Sequence, residues 1–187
     1  MLNTFVVYVE NKPGVLTRVA SLFRRRAFNI DSLTVGRTEK PEVSRMTIVV
    51  DADRDQAARV EANLYKLVEV LFVENITGKT AISRDLAMIK VAATHEARSH
   101  VLELANVFRA RVVDVAPESL TIEITGGEDK IDGLLEVLRP YGVLEMVRTG
   151  IVAMRRGPKS AESNITVPAG TPAVEPTAPD DNVSYSV

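Results

Sequence analysis

The sequence predicts an α+β protein of two tandem βαββαβ units followed by a tail without regular structure. Three observations predict it. β-branched runs alternate with helical apolar stripes in the order β-α-β-β-α-β up to Ile76, and the same order recurs from Leu86 to Met154. Each run is bounded by turn residues, such as Pro13-Gly14, Lys40-Pro41 and Pro117-Glu118. Beyond residue 156 the periodicity stops, and Pro158, Pro168, Pro172, Pro176 and Pro179 alternate with Ala, Thr, Gly and Ser. That composition cannot bury enough apolar surface to offset its ordering entropy, so residues 157–187 are predicted to be disordered. The βαββαβ order is the split-βαβ, or ferredoxin-like, arrangement. It divides the chain into domains 1–78 and 79–156, with the split near Thr77–Asp85.

In the first unit, residues 2–10 are rich in Val, Phe and Tyr and read as a strand. Residues 14–27 place Leu16, Val19, Ala20 and Phe23 on one helical stripe. Two β-branched runs, 30–37 and 44–51, flank a hairpin-like loop at Thr38–Val43. Asp53 is the expected N-cap of a helix reaching Leu67, with Ala57, Val60, Leu64 and Leu67 on one face. Val68–Ile76 returns as a strand. The second unit repeats the order with little residue identity. Leu86–Ala93 is a strand, and His95–Phe108 a helix with Ala97, Val101, Leu104, Ala105 and Phe108 in phase. Strands at Arg111–Ala116 and Leu120–Thr125 follow, then a helix at Glu128–Leu138 through Ile131, Leu134, Leu135 and Leu138, and a closing strand at Val143–Met154.

Composition narrows the function. The chain has 187 residues, 45% of them hydrophobic but only 5% aromatic, so its cores are aliphatic. Cysteine is absent, which removes disulfides, thiolate nucleophiles and Cys-type metal sites. His95 and His100 stand five apart and fit no metal-ligand spacing; both read as surface residues. There is no nucleophile elbow, no glycine-rich phosphate loop and no carboxylate pair with a His companion, so a catalytic role for the isolated chain is disfavoured. Gly126-Gly127, followed by two acids, reads as a turn and helix start. The net charge of −2 offers no field for nucleic acid, and the Arg45–Val50 strand lacks the stacking aromatics of an RNA-recognition sheet. The N-terminal run has no basic leader, and no apolar stretch is long enough to span a membrane. The expectation is a soluble, cytoplasmic chain.

The most informative segment is residues 11–35. A Pro13-Gly14 turn leads directly into an amphipathic helix, whose N-terminus exposes unpaired N–H groups and the positive end of its dipole. Gly14 allows close approach to the backbone beside Val15 and Leu16, and Asn11 and Asn29 offer short amides. This pattern suits the carboxylate and ammonium of a free amino acid, with Leu16 and Ile30 as an apolar floor. The Arg24-Arg25-Arg26 run ends the same helix, where cations complement the dipole; its functional alternative is a contact with an acidic partner surface.

At these residues the chain resembles a known family. Residues 1–76 are similar to an ACT domain. Glu10-Asn-Lys-Pro-Gly-Val-Leu-Thr-Arg-Val, Arg26-Ala-Phe-Asn-Ile-Asp-Ser-Leu-Thr-Val and Ser44-Arg-Met-Thr-Ile resemble the small regulatory subunits of acetolactate synthase (acetohydroxyacid synthase). Lys66–Val73, Glu103–Pro117 and Arg148-Thr-Gly-Ile-Val-Ala-Met continue the resemblance, which covers residues 1–156. It implies a non-catalytic subunit that raises the activity of a large catalytic subunit and confers feedback inhibition by valine, or by leucine or isoleucine, in branched-chain amino acid biosynthesis. Thiamine diphosphate, FAD and Mg would belong to that large subunit, with no cofactor or metal in this chain. The resemblance further implies a homodimer through ACT domains, with valine between them at Asn11, Gly14, Val15, Leu16, Asn29 and Ile30. An ACT-type sensor that regulates a different enzyme is the alternative.

Overall fold

The computed structural model describes residues 1–157 and Ile165. In the first unit, strand β1 (Leu2–Glu10) leads to helix α1 (Val15–Arg25), the hairpin β2 (Ile30–Arg37) and β3 (Val43–Asp51), helix α2 (Arg54–Leu64) and β4 (Val70–Asn75). The strands form one antiparallel sheet in the order β2-β3-β1-β4. The second unit runs β5 (Ala81–Ala92), α3 (Arg98–Val107), β6 (Arg111–Val115), β7 (Ser119–Gly126), α4 (Glu128–Leu138), β8 (Val143–Arg148) and β9 (Val152–Arg155). Its sheet is ordered β6-β7-β5-β8, the same topology as the first, with β9 paired to the start of β5.

Alternation along the strands decides which side each sheet buries. Phe5, Val7 and Val9 of β1 meet Met46, Ile48 and Val50 of β3 on the side covered by α1 and α2, where Val19, Phe23, Val60 and Leu64 complete an aliphatic core. In the second unit Ala87, Ile89 and Val91 take the corresponding places against Val101, Ile131, Leu134 and Leu138. The opposite face of the first sheet is also covered. Val6, Tyr8, Val43 and Ile76 pack there with Ala153 and Ile165, so the second unit's last strand lies on the back of the first. The tail assigned as disordered lies outside the described residues except for Gly157 and Ile165, and Ile165 is buried in this cluster.

Several expected boundaries move for local reasons. Helix α1 starts at Val15 and buries Val15, Val19, Leu22 and Phe23, leaving Leu16 and Ala20 outside. The expected stripe was therefore rotated by about one position. Asp53 caps α2 as expected, in a reciprocal capping box with Gln56, but the helix ends at Leu64. Leu67 still packs on the core from the following turn. Helix α3 begins at Arg98, because Thr94 caps the preceding turn by accepting from Ala97 N at 3.4 Å. The strand expected over Val143–Met154 is two strands, broken around Gly150, whose φ of +86° lies outside extended backbone.

Candidate functional site

The expected anion seat lies at the start of α1. Gly14 is its N-cap, at φ +84°, and nothing lies within 4 Å of where a side chain would begin. The turn is closed by Val15 N donating to Lys12 O at 3.4 Å, and the first intrahelical bond runs from Arg18 N to Gly14 O at 3.0 Å. Between them the N–H groups of Leu16 and Thr17 meet no acceptor among the described residues. No side chain caps this end and its first turn holds no acid, so the positive end of the dipole is uncompensated. Val15 is buried as an anchor, while the Leu16 side chain is 43% exposed beside the free amides.

Asn11 is engaged within the chain. Its Nδ2 donates to Pro41 O at 2.9 Å and its Oδ1 accepts from Ser44 Oγ at 3.1 Å, so the amide ties the β2–β3 loop to the end of β1. Arg18 and Glu69 were not anticipated. Arg18 Nη1 donates to Glu69 Oε1 at 2.5 Å, pinning the first turn of α1 to the start of β4, and Glu69 Oε2 is buried without a partner. Arg18 is the one charge in the first turns of α1, whose other charges are the arginines at its end, and only the fold places Glu69 opposite it.

Asn29 and Ile30 are elsewhere. Ile30 opens β2 and pairs with Val50, which pairs with Asn3, whereas the anion seat follows Glu10, opposite Val43. The seven steps from Asn3 to Glu10 span about 23 Å of strand, so one chain holds these residues as two separate groups. Asn11, Gly14, Val15 and Leu16 come together; Asn29 and Ile30 sit at the far end of the sheet.

The two edges of the first sheet differ. At the β4 edge the hydroxyl of Tyr65 donates to Val73 O and accepts from Val73 N, both at 3.0 Å, so a side chain occupies the outward ladder positions. The outward backbone groups of β2 have no such partner among the described residues. Edge strands are either blocked or available for pairing; here one is blocked and one available. Arg25 and Arg26, on the helix layer, border a depression of about 360 Å³ with Lys66 and Asn63. Among the described residues no three His, Cys, Asp or Glu side chains gather as metal ligands, and no helix is long and apolar enough to cross a membrane.

A tandem βαββαβ chain with an uncapped, glycine-led helix start is of the ACT-domain class, and residues 5–72 match the model described as the AHAS small subunit-like ACT domain. Residues 84–157 match the model for the small subunit of acetolactate synthase. The chain belongs to the acetolactate synthase small-subunit family. It is 51% identical to the acetolactate synthase small subunit of Mycobacterium leprae over 157 residues, covering 84% of this chain and 93% of that one. Against the Mycolicibacterium smegmatis small subunit it is 48% identical over 157 residues, covering 84% and 92%. The crystal structure of the Thermotoga maritima small subunit superimposes with a TM-score of 0.79 at 39% identity, covering 85% of this chain and 99% of that one. Its role is thus that of a regulatory subunit, and a small subunit implies a large catalytic partner.

Proposed function

We propose that this chain activates the large subunit of acetolactate synthase and confers feedback inhibition by valine, bound between the ACT domains of two copies. The observation that carries the reading is the separation of the two residue groups together with the open β2 edge. If β2 pairs antiparallel with β2 of a second copy, the Asn29–Ile30 end of one strand lies beside the Arg37 end of the other. Arg37 pairs with Ser44, which pairs with Val9, so the second copy's Asn11–Leu16 turn lies at that same end. A twofold interface would thus assemble two equal sites, each with one group from each copy.

In such a site the effector carboxylate accepts from Leu16 N and Thr17 N. Leu16 and Ile30 line the branched side chain, and Asn29 reaches the polar end from across the interface. Asn11 holds the loop that frames the pocket. Valine has few atoms with which to gain affinity, so a dissociation constant of about 10–100 µM, roughly −5.5 to −7 kcal/mol, is expected. Inhibition follows when the ligand favours one dimer arrangement and the catalytic subunit responds to it. The thiamine diphosphate, FAD and Mg of the reaction are assigned to that partner.

The test is calorimetric titration of the chain with valine, leucine and isoleucine, beside rate measurements with the catalytic subunit. Saturable valine binding, higher activity on adding the chain, and loss of that gain with valine are expected. Absence of stimulation, or stimulation that valine leaves untouched, would overturn the corresponding half of the proposal.

A further inference from the structure

One stretch of the second unit rests on the strand that carries half of the proposed site. Arg148 closes β8, and it and the following Thr149 are anchored on Asp85 of β5, which is 2% exposed. The Arg148 Nε donates to Asp85 Oδ2, and Thr149 Oγ1 donates to Asp85 Oδ1 at 3.1 Å. Thr149 N also donates to Leu86 O at 3.0 Å, and Leu86 N to Thr149 Oγ1 at 3.2 Å. The same guanidinium meets Asp132 at 3.2 Å and Glu128 at 3.8 Å, in the first turns of α4. Burial works to lower the pKa of Arg148, but the hydrogen bond and charge of Asp85, with the charges of Asp132 and Glu128, outweigh it and raise the group above its ordinary value.

The chain then crosses to β2. Gly150 lies at φ +86°, and a Cβ there would stand 2.6 Å from Ser32 Oγ and 3.2 Å from Thr34 Oγ1. Ile151 N donates to Ser32 Oγ at 3.1 Å, and Thr34 Oγ1 donates to Thr149 O at 3.5 Å. Ser32 and Thr34 lie on the face of β2 away from the helices, two and four residues beyond Ile30, with a backbone irregularity between Ile30 and Ser32.

We infer that Gly150, seated on Ser32 and Thr34, transmits effector occupancy at the end of β2 into the second unit, with Ser32 and Gly150 as positioning residues. The inference rests on the reading that the effector binds at Asn29 and Ile30. Within one chain β2 has β3 as its single neighbour and the dimer would add a second, but the register shift between Ile30 and Ser32 leaves the Asn29–Ile30 end outside the regular ladder, with local freedom that a ligand would remove. Three residues away, the facing contact has none: the glycine fills its space, and its predecessors are fixed to a buried carboxylate. Close-packed contacts do not deform continuously, so a shift of Ser32 either carries Thr149–Ile151 with it or breaks the bond to Ile151. Thr149–Ile151 in turn leads through Arg148 to the start of α4. Other junction contacts, from Arg45 to Ala153 O and from Arg155 to Glu74 at 3.1 Å, avoid β2 and serve to hold the units together.

The experiment uses the full chain with its catalytic subunit. It compares Ser32→Ala, Gly150→Ala and the control Arg155→Ala, reading valine affinity by calorimetry and the fraction of activity lost to valine. Ser32→Ala and Gly150→Ala are expected to raise the half-inhibiting valine concentration by about fivefold or more while the affinity of the chain moves less than about twofold. Arg155→Ala is expected to change neither. Thermal unfolding checks that each variant folds, and Ser32→Ala decides the matter if Gly150→Ala does not. Unchanged inhibition with binding intact would overturn the relay alone. Equal losses of binding and inhibition would also overturn it, because Ser32 would then belong to the site. No valine binding by the wild type would overturn the effector reading and the relay together.

Discussion

Substituting Gly14 separates electrostatics from shape at the proposed site. The position has φ +84° and open space for a side chain, so Gly14→Ala incurs backbone strain of about 1–2 kcal/mol and no clash. Gly14→Asp incurs similar strain, but its carboxylate can accept from the free Leu16 and Thr17 amides, an N-cap bond that contributes about 1 kcal/mol in return. The Asp variant should therefore be at least as stable as the Ala variant. Its effect on the effector is different, because the anion seat is already filled. Two like charges about 4 Å apart at a partly hydrated interface repel by up to about 4 kcal/mol, and screening reduces this to roughly 1.5–3 kcal/mol. The expected loss of valine affinity is then about ten- to a hundredfold for Gly14→Asp, and under about fivefold for Gly14→Ala. Calorimetry and thermal unfolding on both variants measure these quantities. Equal losses in the two, or valine binding by Gly14→Asp at wild-type affinity, would refute the carboxylate seat.

The remaining predictions concern the framework. Tyr65→Phe leaves the outward N–H and C=O of Val73 to solvent, so stability should fall by about 1 kcal/mol, and amide exchange at Val73 should accelerate. The same variant opens a second edge, and light scattering should show concentration-dependent association beyond the dimer that the wild type lacks. Asp85→Asn removes the buried partner of Arg148 and should cost about 2–4 kcal/mol in denaturant unfolding. Because the folded pKa of Arg148 is raised, the stability this group contributes is fully present below its ordinary value and lost only as pH rises through the raised one. Stability measured across the neutral range should accordingly show no titration from it.

The order of elements was legible because aliphatic alternation and helical stripes set it locally. Asp53 also declared itself as the N-cap of α2, a local signal, while its reciprocal bonds with Gln56 emerge only in the structure. Where two phases satisfy one period, sequence cannot choose. Leu16-Val19-Ala20-Phe23 and Val15-Val19-Leu22-Phe23 are both helical stripes, and only the approach of the helix to the sheet selects the second. The break between β8 and β9 had a local signal in Gly150, hidden within a β-branched run. At the site, the glycine-led helix start was legible, but the distance from Asn11 to Asn29 was not. It depends on strand register, as do the engagement of Asn11 by Pro41 and Ser44 and the blocking of β4 by Tyr65.

The central claim is that each effector site is shared between two copies, and mixed dimers test it most directly. Gly14→Asp damages one half of a site and Asn29→Ala the other. A dimer formed from one chain of each kind would hold one doubly damaged site and one intact site. After subunit exchange between the two variants, calorimetry should recover about one quarter of the wild-type valine stoichiometry, at wild-type affinity, from proteins that separately show no site of that affinity. A mixture as silent as its components, under conditions where exchange is demonstrated, would place the site within one chain and contradict the account.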